Sequence, residues 1–561
     1  MKLPIGYDNF REIIDHQLDF VDKSLFIKDI LDDITTKVSL ITRPRRFGKT
    51  LNLSMLQHFL AAEADHEPTA GLFDNLKIAR VANGAYLKHQ GQYPVIALTL
   101  KDVKHSSFSD ALKAIALIMQ KTFNQYYELL SRSEILPNEK NAFLRIVNLQ
   151  ADQIELMQSL AFLSTLIFKC YGKKPWLLID EYDTPIQSGY LYNHYDEMIG
   201  FMRGMFGAAL KTNPNFERAV ITGILRVAKE SLFSGLNNLK VCSILDERYS
   251  EYFGFTEEEM TALLEQADLL SQADEIKKWY NGYLFGKTIV YNPWSVANCL
   301  NEGGKLRPYW VNTSDNLLVK QLFAVADNPT KIMLESLIRN EPVETLVDEY
   351  VTFINMNMSP SAIWSLLLAS GYLKAISCRP EENQLKCTLL PPNYEVSLVY
   401  RSMVKEWFFD RIGHEQYAEF VGALLKGNIT DFTKMLRKFL VETFSVFDVT
   451  GTNPEKFYHG FVLGLISSTS ETHLIKSNRE SGYGRYDVLV MPKAGAKTTV
   501  PGLILEFKVA EKNETLLASA QEALQQIEKR HYEAELKQAG ISKIIKVGLA
   551  FLGKEVEVVW E

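Results

Sequence analysis

A chain of 561 residues, 47% hydrophobic and 23% charged, has the composition of a folded protein and the length for several domains, about three or four at ~150 residues each. Its net charge of −7 excludes a protein that coats nucleic acid by charge alone, and because residues 401–561 are charge-balanced the first 400 carry all of it. No apolar run approaches the ~18 residues a membrane span needs, and Met1–Asp8 opens no signal-like stretch. The five cysteines (Cys170, Cys242, Cys299, Cys378, Cys387) are odd in number and lack CxxC spacing, so they read as reduced and core-packed rather than as a zinc set. A cytoplasmic location follows as the expectation.

The first element with chemical content is Ser39-Leu40-Ile41-Thr42, an apolar run ending in the basic loop Arg43-Pro44-Arg45-Arg46-Phe47-Gly48. Lys49-Thr50 follow, and Leu51, Met55, Leu56, Phe59 and Leu60 then recur at helical spacing. Strand, loop of backbone amides and helix N-terminus make a phosphate-binding loop. Lys49 is placed to reach the β- and γ-phosphates of a nucleotide and Thr50 to ligate Mg²⁺. The consensus G-x-x-x-x-G-K-[ST] wants glycine where Arg43 stands. Arg45 and Arg46 either answer the charge of a triphosphate or are simply solvated. A Gly-Lys-Thr after a strand also arises by chance, so a second motif has to decide.

That motif is Trp176-Leu177-Leu178-Ile179-Asp180-Glu181, an apolar strand running into two acids. In phosphate-loop enzymes the first acid holds the Mg²⁺ shell and the second polarises the attacking water. The 131 positions from Lys49 to Asp180 leave room for an intervening strand at Pro94–Leu100 and its crossover helices, as parallel strands require. A third strand, Ala219–Arg226, ends in Thr222 and Arg226 near the carboxyl edge where open α/β sheets bind ligands. Arg226 supplies charge to a transition state or sits on a surface turn.

Beyond Glu247 helical segments dominate. Thr256 with Glu259 forms a capping box. The aromatic, turn-rich stretch from Trp279 to Trp294 is either part of a lid near the nucleotide or a packed corner. A compact apolar helix spans Ser361 to Leu373, and Pro391–Glu395 marks a turn before the last domain. There, strands are expected at Arg485–Val490 and Leu503–Val509 around a loop from Pro492 to Pro501. Alternation puts Glu506 and Lys508 on one face and Phe507 on the other, with Asp487 beside Glu506. Two carboxylates and a lysine so arranged can hold Mg²⁺ and orient water for phosphodiester attack. Glu-x-Lys also suits a solvated hairpin edge, but the apolar Gly502–Leu505 run argues for a central strand where charge needs a reason.

Taken together, Phe20-Val21-Asp22-Lys23-Ser24, Pro44–Thr50, Asp180-Glu181-Tyr182-Asp183, Thr222–Arg226 with Ser234–Asn238, Tyr280-Asn281-Gly282-Tyr283 and Tyr291–Ser295 resemble the bacterial AAA-ATPase-like family often fused to a C-terminal PD-(D/E)XK nuclease-like domain. Asp487, Glu506 and Lys508 fit the Asp-x18-Glu-x-Lys form of that nuclease signature. The resemblance implies an α/β fold: a P-loop domain with a doubly wound parallel sheet (1–248), a helical middle region (249–398) and a restriction-nuclease-like domain (399–561). It implies ATP and Mg²⁺ as cofactors, with Arg45, Arg46, Gly48, Lys49, Thr50, Asp180, Thr222 and Arg226 around the nucleotide. Glu181 would activate water and Thr222 would sense the γ-phosphate. In the last domain Asp487 and Glu506 would hold a metal, joined by Glu455 on an upstream helix; Gln525 and Gln526 lie near the place of the family's occasional catalytic glutamine. The implied partner is nucleic acid, DNA in preference to RNA, in defence or mobile-element biology, with no membrane and an oligomer open. The rival is a nucleotide-dependent switch that cuts nothing.

Overall fold

The structure is a computed structural model that describes residues 1–225, 238–311, 340–349, 360–400, 413–443, 473–481, 484–493, 500–510, 514–552 and 555–561, with a few positions between 330 and 337. Arg226, Ser234–Asn237 and Glu455 lie outside them. The chain forms two compact units, residues 1–318 with 344–396 and residues 319–343 with 397–561. Among the described residues no helix is long and apolar enough to cross a membrane.

The first unit is built on a parallel sheet. After helices α1 (Phe10–Asp15) and α2 (Leu25–Asp32) come strand β1 (Val38–Thr42) and helix α3 (Lys49–Leu60). A small ladder, β2 (Glu63–Ala64) with β3 (Glu67–Pro68), precedes β4 (Val95–Thr99), β5 (Trp176–Asp180), β6 (Ala219–Gly223) and β7 (Leu239–Cys242). The sheet order is β4-β5-β6-β1-β7 and every pairing is parallel. β1, β5 and β6 are buried at all five positions, as strands covered on both faces must be, and this is why they read as continuous apolar runs. β6 lies between β1 and β5, so the carboxyl ends carrying the phosphate loop, Thr222 and Asp180 stand side by side.

The Phe20–Ser24 motif is structural. Asp22 accepts hydrogen bonds from the amides of Ser24 (2.8 Å) and Lys77 (2.7 Å), Ser24 Oγ accepts from Ile78 N (3.0 Å), and Lys23 donates to the Glu251 carbonyl and to Glu259. Glu259 also completes the expected capping box at Thr256, its Oε2 accepting from Thr256 N at 2.9 Å. The middle region is helical, and it holds two sheets not anticipated from sequence: the antiparallel pair β8 (Tyr283–Phe285) and β9 (Thr288–Val290), and β10 (Val343–Val347), β11 (Lys374–Glu381) and β12 (Gln384–Leu390) in the order β10-β12-β11, with β11 and β12 antiparallel. Register sets Cys378 opposite Cys387, with Cα atoms 4.2 Å apart, and a disulfide joins them. The expectation of reduced thiols fails for this pair, because only strand register brings the two together; Cys170, Cys242 and Cys299 carry free thiols.

The second unit carries a five-stranded sheet ordered β13 (His473–Ser481), β14 (Gly484–Pro492), β15 (Gly502–Val509), β16 (Ile544–Leu552), β17 (Glu555–Trp560). Only β15–β16 is parallel, and the helix Leu516–Lys529 makes its crossover. Helices His414–Leu425 and Ile429–Thr443 cover one face through Phe420, Phe432 and Phe439 against Val488, Leu505 and Phe507. The other face packs Leu489 and Ile504 on Ile527 and Tyr532.

Candidate active sites

β1 delivers the chain into the loop, and Gly48 caps α3 in the left-handed region (φ 78°), a conformation free of strain only for glycine. Arg46 shares that region (φ 69°), so consecutive turns fold the loop over the helix start. Lys49 is buried, and its ammonium donates to the carbonyls of Arg43 (3.1 Å) and Pro44 (2.9 Å). Burial lowers its pKa, while Glu181, Asp180 and Asp183 oppose that shift. Thr50 Oγ1 donates to Asp180 Oδ2 at 2.6 Å, and Thr222 Oγ1 donates to Asp180 Oδ1. One carboxylate therefore ties the phosphate-loop helix to the two neighbouring strands. Burial pushes the Asp180 pKa up, the two hydroxyls pull it down, and adjacent Glu181 adds to the rise. Such oxygen donors at a loop lysine fit Mg²⁺ and an anionic ligand in chemical type.

Glu181 adopts φ 49° and accepts from Thr184 Oγ1 at 3.3 Å. A cavity of about 420 Å³ is lined by Gly48, Lys49, Thr50, Glu181, Lys101 and Trp294 among others. That is the size range of small-molecule sites. The rest of the acidic motif is a buttress. Asp183 accepts from the amides of Ile224 (2.9 Å) and Leu225 (2.8 Å), and Tyr182 Oη donates to Leu225 O at 2.6 Å. Gly223 is required there, since a Cβ would stand 2.6 Å from the Tyr182 ring and 2.7 Å from Asp183. Sequence reasoning assigned no task to Tyr182 or Asp183, though the four-residue motif was itself a signal.

Arg43 explains the missing consensus glycine. Its fully buried guanidinium donates to the carbonyls of Thr42 (2.8 Å), Cys242 (3.0 Å), Ser243 (2.9 Å) and Arg248 (3.1 Å), and lies by the rings of Phe253 and Phe285. It staples the loop to the segment after β7. Arg45 and Arg46 differ from it: Arg45 bonds Gln187 (3.3 Å), and exposed Arg46 lies 4.2 Å from the Trp294 ring centroid. The aromatic stretch from Trp279 to Trp294 packs directly on the loop, with the Phe47 and Tyr283 rings 4.8 Å apart. Trp310 Nε1 donates to Arg45 O at 3.1 Å, its amide to Glu395 Oε1 at 2.6 Å, and Ser295 Oγ to Glu395 Oε2 at 2.8 Å. Glu395 is wholly buried, and burial pushes its pKa up to about 7.

In the second unit Asp487, Glu506 and Lys508 meet on the face that packs the helix Leu516–Lys529. Asp487 Oδ2 accepts from Phe507 N (2.8 Å), and Asp487 N donates to Glu506 Oε2 (3.2 Å). Gln526 Nε2 donates to Glu506 Oε1, whereas Gln525 is exposed on the same helix. Lys508 Nζ pairs with Glu522 at 3.5 Å. Buried Tyr532, which sequence reasoning missed, hydrogen-bonds Gln526 beside the two acids. Paired carboxylates suit a hard divalent cation in donor type, although among the described residues no group of three or more acidic, His or Cys ligands forms.

Residues 4–233 match the family model described as predicted AAA-ATPase, and residues 453–561 match the PD-(D/E)XK nuclease superfamily. The chain joins an AAA-ATPase-like domain to a nuclease-superfamily domain. It is also similar, at 24% identity over 545 residues, to an uncharacterized protein in the vnfD 5′ region of Azotobacter chroococcum mcd 1, covering 96% of this chain and 94% of that protein. The phosphate loop, the Asp180 strand and Thr222 all fall within the AAA-ATPase-like domain, and the Asp487–Glu506 pair falls within the nuclease-superfamily domain.

Proposed function

We propose that the AAA-ATPase-like domain (1–248) binds ATP with Mg²⁺ and hydrolyses it. We assign residues 249–398 to a middle region, of which Tyr283, Trp294 and Trp310 pack on the phosphate loop, and residues 399–561 to a nuclease-like domain that cleaves phosphodiester bonds in DNA or RNA. The observation that carries the first half is the convergence of Thr50 and Thr222 on Asp180, with Lys49 buried in the loop and Glu181 lining the same cavity. Lys49 neutralises β- and γ-phosphate charge, and Thr50 and Asp180 hold the metal. Thr222 keeps Asp180 oriented. The Glu181 carboxylate accepts the proton of the water whose oxygen attacks the γ-phosphorus, as the bond to the β,γ-bridging oxygen breaks and ADP leaves. Bound Mg²⁺ supplies charge neutralisation on the transferring phosphoryl group.

In the nuclease-like domain Asp487 and Glu506 hold a divalent ion, Gln526 fixes Glu506, and Lys508 stabilises developing charge at the scissile phosphate. One observation favours the rival reading of a nucleotide-dependent switch without cleavage: Asp487 and Glu506 already bond main-chain amides and Gln526, and Lys508 pairs with Glu522. A single experiment separates them. Purified protein, Lys49→Ala and Asp487→Ala are incubated with Mg²⁺ or Mn²⁺ and mixed DNA and RNA, with and without ATP. Lys49→Ala should lose triphosphate binding, and Asp487→Ala should lose cleavage while keeping ATP hydrolysis. Absence of cleavage by the parent under every condition gives the switch reading the field.

A further inference from the structure

Lys101 is among the cations of the nucleotide cavity that this reading leaves unused. Lys101 follows β4 by two residues, where Leu100 N donates to the Asp180 carbonyl at 3.0 Å, so it rises beside the acid strand. Its side chain lines the cavity with Lys49, Thr50 and Glu181. Its ammonium pairs at 2.7 Å with Asp8, which lines the same cavity from the irregular segment before α1. Of the other cations there, Lys104 is exposed, Arg45 bonds Gln187, and three are tied to the fold. Lys49 holds loop carbonyls, Lys23 holds Glu259 and the Glu251 carbonyl, and Arg46 lies over Trp294. The Lys101–Asp8 pair is different, with side-chain exposures of 41% and 54%. A pair that open to water contributes little stability and exchanges readily for a stronger anion. The Asp8 hydrogen bond, with the charges of Asp8, Asp102 and Asp180, raises the Lys101 pKa.

We propose that Lys101 is a γ-phosphate-binding residue held in reserve by Asp8. A nucleoside triphosphate draws Nζ from the Asp8 carboxylate onto its terminal phosphate, and a diphosphate, lacking that group, leaves the pair intact. Lys101 thereby distinguishes triphosphate from diphosphate. This rests on the nucleotide reading of the cavity, and it adds a second lysine from a different strand to the one in the loop motif.

The test is equilibrium binding of labelled ATP and ADP to the full chain in Mg²⁺ for the parent, Lys101→Ala, Asp8→Asn and Lys49→Ala. Lys101→Ala should weaken ATP binding about tenfold, the scale of one charge-assisted contact, and leave ADP within about twofold. Asp8→Asn should act in the opposite direction, tightening ATP several-fold because it removes the competitor while keeping the lysine. A purely structural ion pair predicts that both variants shift in the same direction and affect ATP and ADP alike, and that result overturns the proposal. Lys49→Ala separates the two levels of the argument. If it abolishes ATP binding while Lys101→Ala has no effect, only Lys101 is misassigned; if it binds ATP normally, the nucleotide reading falls and this inference with it.

Discussion

Arg43→Gly restores the general phosphate-loop consensus, and the structure predicts that it damages the protein. Three N–H groups of the guanidinium, two on Nη1 and one on Nη2, serve the four carbonyls of Thr42, Cys242, Ser243 and Arg248, and at ~2 kcal/mol for each charged donor they give a gross contribution of about 6 kcal/mol. Burial pulls the guanidinium pKa down from its ordinary value to about 10, which at ~1.36 kcal/mol per pKa unit is a cost of about 3 kcal/mol. The net contribution is then about 3 kcal/mol, and glycine adds roughly 0.5–1 kcal/mol of backbone entropy loss. Arg43→Gly should therefore lose about 3–4 kcal/mol, on the scale of breaking a buried charge network. Arg43→Lys should fall between, since a point-charge ammonium cannot span four carbonyls held by a planar fork. Urea unfolding followed by tryptophan fluorescence reads this, with Trp310 bonded to the loop at Arg45 reporting on the first transition. Arg43→Gly within about 1 kcal/mol of the parent, or binding triphosphate more tightly than it, would refute the reasoning.

Glu395 predicts a pH dependence of a definite sign. Its folded pKa of about 7 exceeds the usual 4.5, so the stability of the neutral acid is complete below about pH 4.5 and is lost as pH rises to about 7, amounting to about 3 kcal/mol. Glu395→Gln keeps an acceptor for Trp310 N and cannot ionise, so the parent-minus-variant difference between pH 5 and pH 8 should show that slope; a flat difference refutes it. Glu181→Gln should bind ATP with parental affinity and hydrolyse it at least about 10²-fold more slowly in a steady-state phosphate-release assay, and unchanged turnover removes Glu181 from the mechanism. Gln526→Ala should reduce metal-dependent cleavage by about tenfold or more, whereas Gln525→Ala, exposed one position away, should not. Equal effects of the two on cleavage would break the link from Gln526 to Glu506.

What the sequence disclosed about this fold followed the range of the interactions involved. Lys49, Thr50 and Asp180 were legible because a strand, a tight loop and a helix start are consecutive in the chain, and a strand buried on both faces is apolar up to its first charged residue. Glu506 and Lys508 were legible for the same reason, and the period of two placed them on one face. β7 was not, because four residues containing an exposed lysine carry no such run, and β8 to β12 are short or half-exposed. The Cys378–Cys387 bridge depends on register, which spacing alone does not set. Arg43 was visible only as a departure, since its partners lie some two hundred positions away on backbone carbonyls that have no residue signature. Gln526 was found by its helix but could not be distinguished from Gln525 until the helix was docked on β15, where one position turns a side chain toward Glu506 or toward water. Lys101 is the sharpest case: no motif contains it, yet the pairing of β4 with β5 sets it beside Asp180 as reliably as adjacency in the chain sets Thr50 beside Lys49. Parallel sheets align the carboxyl ends of strands from distant segments, so functional groups gather there by topology rather than by motif, and the residues to test first are those at that edge whose partners are exposed and exchangeable.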